Sequence, residues 1–149
     1  MSVEIDQSGK IEQLDTNTVV ALANDSSSAI FVSASSKRKL LFKLRKSKTP
    51  RNVLYPQIFT ILIYLAIHQM KEYPRILLID EEYTGKNKLI KDMLLTLIKK
   101  SKPKWDGDIR FKLVGKLSPS HRLAWGIHSK TLKITCVKTS EIEILKYLK

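Results

Sequence analysis

The most constraining feature of this sequence is a run of ten residues, Ile58 to Ile67, that is apolar at almost every position. Pro56 suits the first turn of a helix, and Pro74 would end it. A helix with so little polar surface is stable only when it is buried, so we expect it to pack against a sheet. The run is too short to cross the hydrocarbon core of a bilayer, which needs about 20 residues. We therefore predict a soluble domain with no membrane partner.

The segments before this run have the composition of β-strands. Three stretches rich in β-forming residues are separated by turn signals, at Gln7–Lys10 and in the Asn24–Ser28 cluster. We expect an antiparallel meander of three strands. The stretches that could contribute to it are Ser2–Asp6, Thr18–Ala23, Ala29–Ser33 and, as a closing strand, Lys39–Leu44.

After the apolar run, helical and strand patterns alternate. Arg75–Asp80 is a short continuous apolar stretch, typical of a central strand covered on both faces. We expect it to pair in parallel with the strand that contains Asp6. The later elements are predicted as a helix at Asn87–Lys100, a strand at Ile109–Val114, a helix capped by Ser118 with Pro119 next, a strand at Leu132–Val137 and a helix at Glu141–Leu148.

Net charge is the clearest indication of the partner. The chain has 27 Lys and Arg against 14 Asp and Glu, a formal charge of +13. A small domain this basic usually binds a polyanion, and we predict nucleic acid, DNA rather than RNA. A single cysteine, Cys136, and three histidines without zinc spacing exclude a disulfide framework and argue against a structural zinc.

The basic residues are concentrated in one segment. Residues 37–51 contain eight Lys or Arg and no acid. Lysines at a strand edge can serve only to prevent aggregation, but this density favours contacts to phosphates. The residues predicted to contact nucleic acid, in this segment and in later loops, are Lys37, Arg38, Lys39, Lys43, Arg45, Lys86, Lys116 and Arg122.

Acidic residues follow two of the predicted strands. Asp6 ends the first strand, and Asp80, Glu81 and Glu82 follow the Arg75–Asp80 strand directly. These acids could be solvated turn residues. Adjacent carboxylates in so basic a chain nevertheless favour a bound cation, because they repel one another. Carboxylate oxygens suit Mg²⁺ or Mn²⁺, so we predict a metal site made of Asp6, Asp80 and Glu82.

The order of elements and three short motifs resemble the ribonuclease H-like superfamily, most closely the RuvC-type resolvase nucleases. The motifs are Ile5–Gly9, Leu77–Tyr83 and Leu117–Trp125. The resemblance implies an α/β fold with a mixed five-stranded sheet flanked by helices, formed by residues 1–149 as one domain. It also implies that acids on the first and fourth strands bind divalent metal together with a group on a late helix.

The resemblance assigns catalytic roles to Asp6, Asp80, Glu81 and His121. His121 stands where the family more often has an acid, and a lone histidine can also be purely structural. Ribonuclease H itself has a further Glu on its first long helix, but residues 55–70 contain no acid. This departure favours the resolvase-type arrangement.

Three functions are therefore open. The first is a metal-dependent nuclease that hydrolyses phosphodiester bonds, with structure-selective cleavage of DNA as its specific form. The second is a non-catalytic nucleic-acid-binding module on the same fold, since fold alone does not fix function. The third is a basic interaction protein without metal. The N-terminus has no signal-peptide pattern, so we expect a cytoplasmic protein; the sequence leaves the oligomeric state open, a homodimer included.

Overall fold

A computed structural model describes residues 1–24, 27–112, 119–128 and 136–148. Six strands and five helices lie in these ranges. In chain order they are β1 (Ser2–Ser8), β2 (Thr18–Asn24), β3 (Ser28–Val32), α1 (Ala34–Lys43), α2 (Arg51–His68), β4 (Ile76–Asp80), α3 (Asn87–Ser101), β5 (Asp108–Lys112), α4 (Pro119–His128), β6 (Val137–Thr139) and α5 (Glu141–Leu145).

The strands form one mixed sheet in the order β5-β4-β1-β2-β3-β6. β1, β2 and β3 are an antiparallel meander, whereas β4 pairs in parallel with both β1 and β5. In the β1–β4 register, Ile5 pairs with Ile79. The predicted parallel pairing of these two strands is thereby confirmed.

Helices cover both faces of the sheet. On β2, Val20 and Leu22 belong to the main core, which also contains the buried side of α2. Val19 and Ala21 point the other way and pack with Leu123 of α4 in a smaller core. This alternation follows from the two-residue period of a strand. Asp6 pairs with Ala21 in the antiparallel register, so it lies on the α4 face.

The predicted strand at Lys39–Leu44 is wrong, because these residues belong to α1 and to its C-terminal end. Ser33 caps the helix, accepting a hydrogen bond from the Ser36 backbone N–H at 3.0 Å. Lys37, Leu40 and Leu41 are its buried residues, three and four positions apart as on one helical face. The cap and this spacing indicate a helix more strongly than the β-forming composition indicates a strand.

The apolar helix is present, but it begins five residues before Pro56. Pro50 occupies its N-cap position with extended backbone, and Pro56 lies inside the helix. The helix ends at His68, well before Pro74. Burial of nearly every residue from Ile58 to Ile67 compensates for the hydrogen bond that an internal proline removes.

The sheet has six strands, so the predicted count of five is wrong. β6 pairs in parallel with β3 and covers hydrogen-bonding groups that would otherwise form a free edge. Most of the predicted strand at Leu132–Val137 lies outside the described residues. β4 is covered less completely than predicted, since Leu77 and Ile79 are buried but Ile76 and Leu78 are half-buried. Within the described ranges, no helix has both the length and the apolar content to cross a membrane.

Candidate metal centre and cleft

Two aspartates meet where β1 and β4 run side by side. Ile5 of β1 pairs with Ile79 of β4, and Asp6 and Asp80 are the next residues on these two strands. Asp80 is the last residue of β4, whereas β1 continues past Asp6 to Ser8, so the predicted end of the first strand at Asp6 is two residues too early. The parallel register places the two aspartates at the same level on neighbouring strands. Asp6 is only 2% exposed, and its Oδ1 accepts a hydrogen bond from the Gln7 backbone N–H at 2.9 Å. Two residues 74 positions apart in the sequence are thus brought together by strand pairing.

The turn after β4 adds a third carboxylate. The Glu82 N–H donates to the Asp80 carbonyl at 2.9 Å, which closes a tight turn. Ligand oxygens of Asp6, Asp80 and Glu82 all lie within 4.8 Å of one another. We call these three residues the acidic cluster. They are the three acids that the sequence analysis proposed as metal ligands.

Glu81 lies apart from this cluster. Its N–H continues the β4–β5 ladder by donating to the Lys112 carbonyl at 3.1 Å. Its exposed side chain accepts a hydrogen bond from the Asn87 Nδ2 at 3.2 Å. Of the two glutamates in this turn, only Glu82 has an oxygen within 4.8 Å of those of Asp6 and Asp80. The predicted catalytic role of Glu81 has no support from its position.

The acidic cluster is electrostatically costly. Burial, followed by hydrogen bonding to Asp80 and the charges of Asp80 and Asp6, raises the pKa of Glu82 to about 8. One proton is therefore held in the cluster at neutral pH. A divalent cation would displace this proton and offset the repulsion.

The donor set fits a hard divalent cation. Mg²⁺ takes oxygen ligands at about 2.0–2.1 Å in an octahedron, so oxygens on opposite sides of the ion are roughly 4.2 Å apart. The oxygens of the acidic cluster lie within 4.8 Å of one another, which brings all three close to a common ion. Asp6, Asp80 and Glu82 are thus suited to Mg²⁺ or Mn²⁺.

A cleft of about 540 Å³ opens beside the cluster, and Glu82 forms part of its wall. Arg51, from the first turn of α2, and Lys86, just before α3, supply cations to this wall. The Arg51 Nη1 donates to the Tyr55 hydroxyl at 3.2 Å, which holds the guanidinium at the cleft. Glu12 also lines the cleft, so its wall combines two carboxylates with two cations.

Sequence reasoning missed three groups here. Arg51 was counted in the basic segment but not singled out, although its place just after Pro50 signals a helix start. Gln7 is 7% exposed, and its Nε2 lies 3.4 Å from the Tyr83 hydroxyl. The Tyr83 ring packs against that of Phe59 in a tilted arrangement with the ring centres 5.4 Å apart, and burial raises the pKa of Tyr83. The alternation of β1 could have shown that Gln7 points into the core while Asp6 points away.

Lys37 is the clearest correction to the predicted phosphate contacts. It is 2% exposed, and its ammonium donates to the Lys10 carbonyl, the Gln13 carbonyl and the Thr18 hydroxyl at 3.0, 2.6 and 3.0 Å. A buried group that already uses its three donors cannot bind a phosphate. Lys37 instead ties α1 to the loop between β1 and β2.

The other members of the basic segment are exposed. Lys39 and Lys43 project from α1. Arg38 donates to the Leu14 carbonyl at 2.8 Å, and Arg45 lies 3.9 Å from the centre of the exposed Phe42 ring. These four residues form a cationic surface on α1 and its C-terminal end, which we call the α1 basic surface.

The remaining predicted residues lie in the last third of the chain. Lys116 is outside the described residues. His121 is in the first turn of α4, but its side chain is outside the described part of the chain. Arg122 is exposed on the same helix, which packs against β1 and β2. The candidate site therefore rests on the acidic cluster and the adjoining cleft.

No protein-family model matches the chain, and no curated protein matches it.

Proposed function

We propose that this protein is a divalent-metal-dependent nuclease with a ribonuclease H-like fold. The observation that carries the proposal is the convergence of Asp6, Asp80 and Glu82, whose ligand oxygens lie within 4.8 Å of one another beside the neighbouring strands β1 and β4. Three carboxylates grouped in this way repel one another, and a bound cation would offset that repulsion. The excess of positive charge elsewhere favours a polyanionic substrate.

The topology supports the proposed family. The resemblance requires three antiparallel strands followed by a fourth that lies beside the first, with an acid on each of these two neighbours. The order β5-β4-β1-β2-β3 has this arrangement, and Asp6 and Asp80 stand on the neighbouring strands. β6 adds a strand beyond β3 without separating β1 from β4.

Each group has a defined task in this proposal. Asp6, Asp80 and Glu82 would hold Mg²⁺ or Mn²⁺, which would supply charge stabilisation at the phosphorus and a water of lowered pKa. Arg51 and Lys86 bind the phosphate in the cleft and orient it toward the carboxylates. In the hydrolysis, a water oxygen would bond to phosphorus as the bond from phosphorus to the ester oxygen breaks. The water would lose a proton to solvent, and the leaving oxygen would take one up from solvent. Glu82 must lose its proton before it can serve as a ligand.

Substrate cleavage tests the proposal directly. We expect the purified protein to cut at least one of a set of labelled DNA duplexes, DNA–RNA hybrids and four-way junctions in Mg²⁺ or Mn²⁺. Asp80→Asn removes a ligand charge with little change of shape and is expected to reduce the rate by about 10²-fold or more. Asp92→Asn is the matched control, because Asp92 is an exposed acid paired with Lys88 at 2.9 Å. The control is expected to cut at the wild-type rate.

The same experiment separates the nuclease from the binding module. If Asp80→Asn cuts as fast as the wild type, the acidic cluster is not the catalytic centre. If no substrate is cut while nucleic acid still binds, the function is binding on the same fold. If neither cleavage nor binding occurs, both proposals are wrong.

A further inference from the structure

A second cleft, also of about 540 Å³, lies at the other end of β4. β4 begins at Ile76 and ends at Asp80, so roughly 13 Å of strand, at 3.3 Å per residue, separates this cleft from the acidic cluster. Its walls include Pro103 and the single acid among its lining residues, Glu72. The groups that characterise it are two aromatic rings and three lysines: Tyr73, Trp105, Lys71, Lys102 and Lys104.

Both aromatic rings are fixed by their polar atoms. The Tyr73 hydroxyl is hydrogen-bonded to the His68 Nδ1 at 2.6 Å and to the Ser101 hydroxyl at 3.0 Å. The Trp105 indole N–H donates to the Pro74 carbonyl at 2.9 Å. With their polar atoms already satisfied, these rings contribute apolar surface to the cleft.

Gly107 permits the position of the Trp105 ring. A Cβ added at Gly107 would overlap the indole and the Arg75 carbonyl. The indole therefore packs directly on backbone, and any side chain at position 107 would displace it. A ring that is ordered before a ligand arrives loses little entropy on binding.

The three lysines outnumber the single acid that lines the cleft, Glu72. In the described part of the chain, the ion pairs involve neither Lys71 nor Lys102 nor Lys104. Lysines often complement the negative end of a helix, and α3 does end at Ser101. Lys71, however, belongs to the segment after α2. The C-terminal end of α3 therefore accounts for Lys102 and Lys104 but not for Lys71. The Lys102 ammonium lies 5.6 Å from the centre of the Tyr73 ring, which places cation and ring together.

We propose that this second cleft binds a single strand of nucleic acid. One base packs against the surface formed by Tyr73 and Trp105, and the adjacent phosphates contact Lys71, Lys102 and Lys104. Fixed aromatic rings beside cations are the general means of holding an unpaired strand without reading its sequence. The proposal goes beyond the nuclease function, because it uses neither the acidic cluster nor a metal.

The fluorescence of Trp105 reports on this cleft alone once the other tryptophan is removed. The chain has two tryptophans, and Trp125 is 54% exposed on α4, so Trp125→Phe is a mild change. In EDTA, which prevents cleavage, we expect a twelve-residue oligothymidylate to quench Trp105 in a saturable manner. Inorganic polyphosphate of matched length is expected to quench it far less, because it has no bases.

Charge reversal tests the lysines in the same Trp125→Phe background. Lys102→Glu with Lys104→Glu is expected to weaken oligothymidylate binding about tenfold or more. The plot of log K against log salt concentration should also become less steep. Its slope should fall in magnitude by about 1.4, or roughly 0.7 for each lost phosphate contact. Lys91→Glu with Lys146→Glu is the matched control: both lysines are exposed, neither lines the cleft, and the net charge changes equally. The control is expected to change affinity less than threefold.

Each outcome supports or overturns the proposal. Quenching by the oligonucleotide together with selective loss in the Lys102 and Lys104 variant supports it. Absence of quenching, equal loss in both charge-reversed proteins, or quenching by polyphosphate as strong as that by the oligonucleotide would overturn it. The result is independent of the nuclease test, because binding is measured without metal and Asp80→Asn should bind like the wild type.

Discussion

Asp6 and Lys37 are both ionisable side chains that are 2% exposed, yet their surroundings are opposite. Lys37 donates three hydrogen bonds, to two backbone carbonyls and one hydroxyl. Asp6 instead lies next to two further carboxylates, those of Asp80 and Glu82. One buried charge is matched by acceptors from the protein itself, and the other is grouped with charges of its own sign.

This difference separates a structural ion from a functional one. A buried charge that is fully hydrogen-bonded contributes to the fold and needs no ligand. A cluster of like charges raises the free energy of the folded protein until a counter-ion binds, and perturbed acids of this kind are concentrated at functional sites. We therefore expect changes at Lys37 to alter stability and changes at Asp6 to alter cation binding.

The largest expected effect is stabilisation by the cation. At 100 times its dissociation constant, Mg²⁺ or Mn²⁺ should add about 2.7 kcal/mol to the free energy of unfolding. For a domain of this size, that raises Tm by several degrees. Thermal unfolding with and without the ion measures this, and Asp6→Asn should abolish most of the shift. An equal shift in the Asp6→Asn protein would show that the cation binds elsewhere.

Replacement of Lys37 should come next in size. Lys37→Met leaves the Lys10 and Gln13 carbonyls without their donor, and we expect a loss of about 1–3 kcal/mol in denaturant unfolding. Lys39→Met is the control, since Lys39 is exposed and its loss should cost less than about 0.5 kcal/mol. Nucleic-acid affinity should be unchanged in Lys37→Met under conditions where it is folded. If a fully folded Lys37→Met protein binds nucleic acid less tightly than the wild type, Lys37 does contact phosphate.

The pH dependence of stability sharpens the comparison. Glu82 has a pKa of about 8 in the folded protein against 4.5 as its ordinary value, so the folded state holds its proton over this interval and the unfolded state does not. Stability from this group is greatest below pH 4.5 and is lost as the pH rises toward 8. In EDTA, Glu82→Gln should therefore lose less stability than the wild type between pH 5 and 8. If the stability of the two proteins changes equally between pH 5 and 8, Glu82 does not hold a buried proton in this range.

Lys37 contributes in the opposite direction and at higher pH. Burial lowers its pKa to about 8, and the charges of Glu12 and Asp15 only partly oppose this. The folded state then binds fewer protons than the unfolded state above pH 8, so this group favours folding increasingly as the pH rises toward 10.5. The window from pH 5 to 8 thus isolates Glu82 from Lys37.

The smallest expected effect concerns the α1 basic surface. Lys39→Ala with Lys43→Ala removes two exposed cations, and duplex DNA affinity should fall by less than about tenfold while the salt slope decreases by roughly 1.8. Binding measured by anisotropy at several salt concentrations provides both numbers. Lys91→Ala with Lys146→Ala is the control of equal charge. If the two pairs have the same effect, the surface contributes only net charge.

Local sequence patterns were sufficient for most of the helices and strands. The apolar stretch before Asp80 predicted β4, and the helical spacing after Asn87 predicted α3. The parallel pairing of β1 with β4 was predicted from the continuous apolar run and the acids that follow it, and it is confirmed. The metal ligands could be proposed because acids follow both strands, although the sequence could not show that their oxygens lie within 4.8 Å.

Only the tertiary structure decided which charges are buried and what they face. The segment from Lys37 onward predicts a cationic surface, yet the first of its lysines is inside the protein because helix formation at Ser33 turns that residue toward the β1–β2 loop. Glu81 and Glu82 are indistinguishable in sequence, and the tight turn after β4 directs only Glu82 to the cluster. Burial and orientation depend on contacts between residues far apart in the chain. Composition and local periodicity do not by themselves specify which distant residues meet.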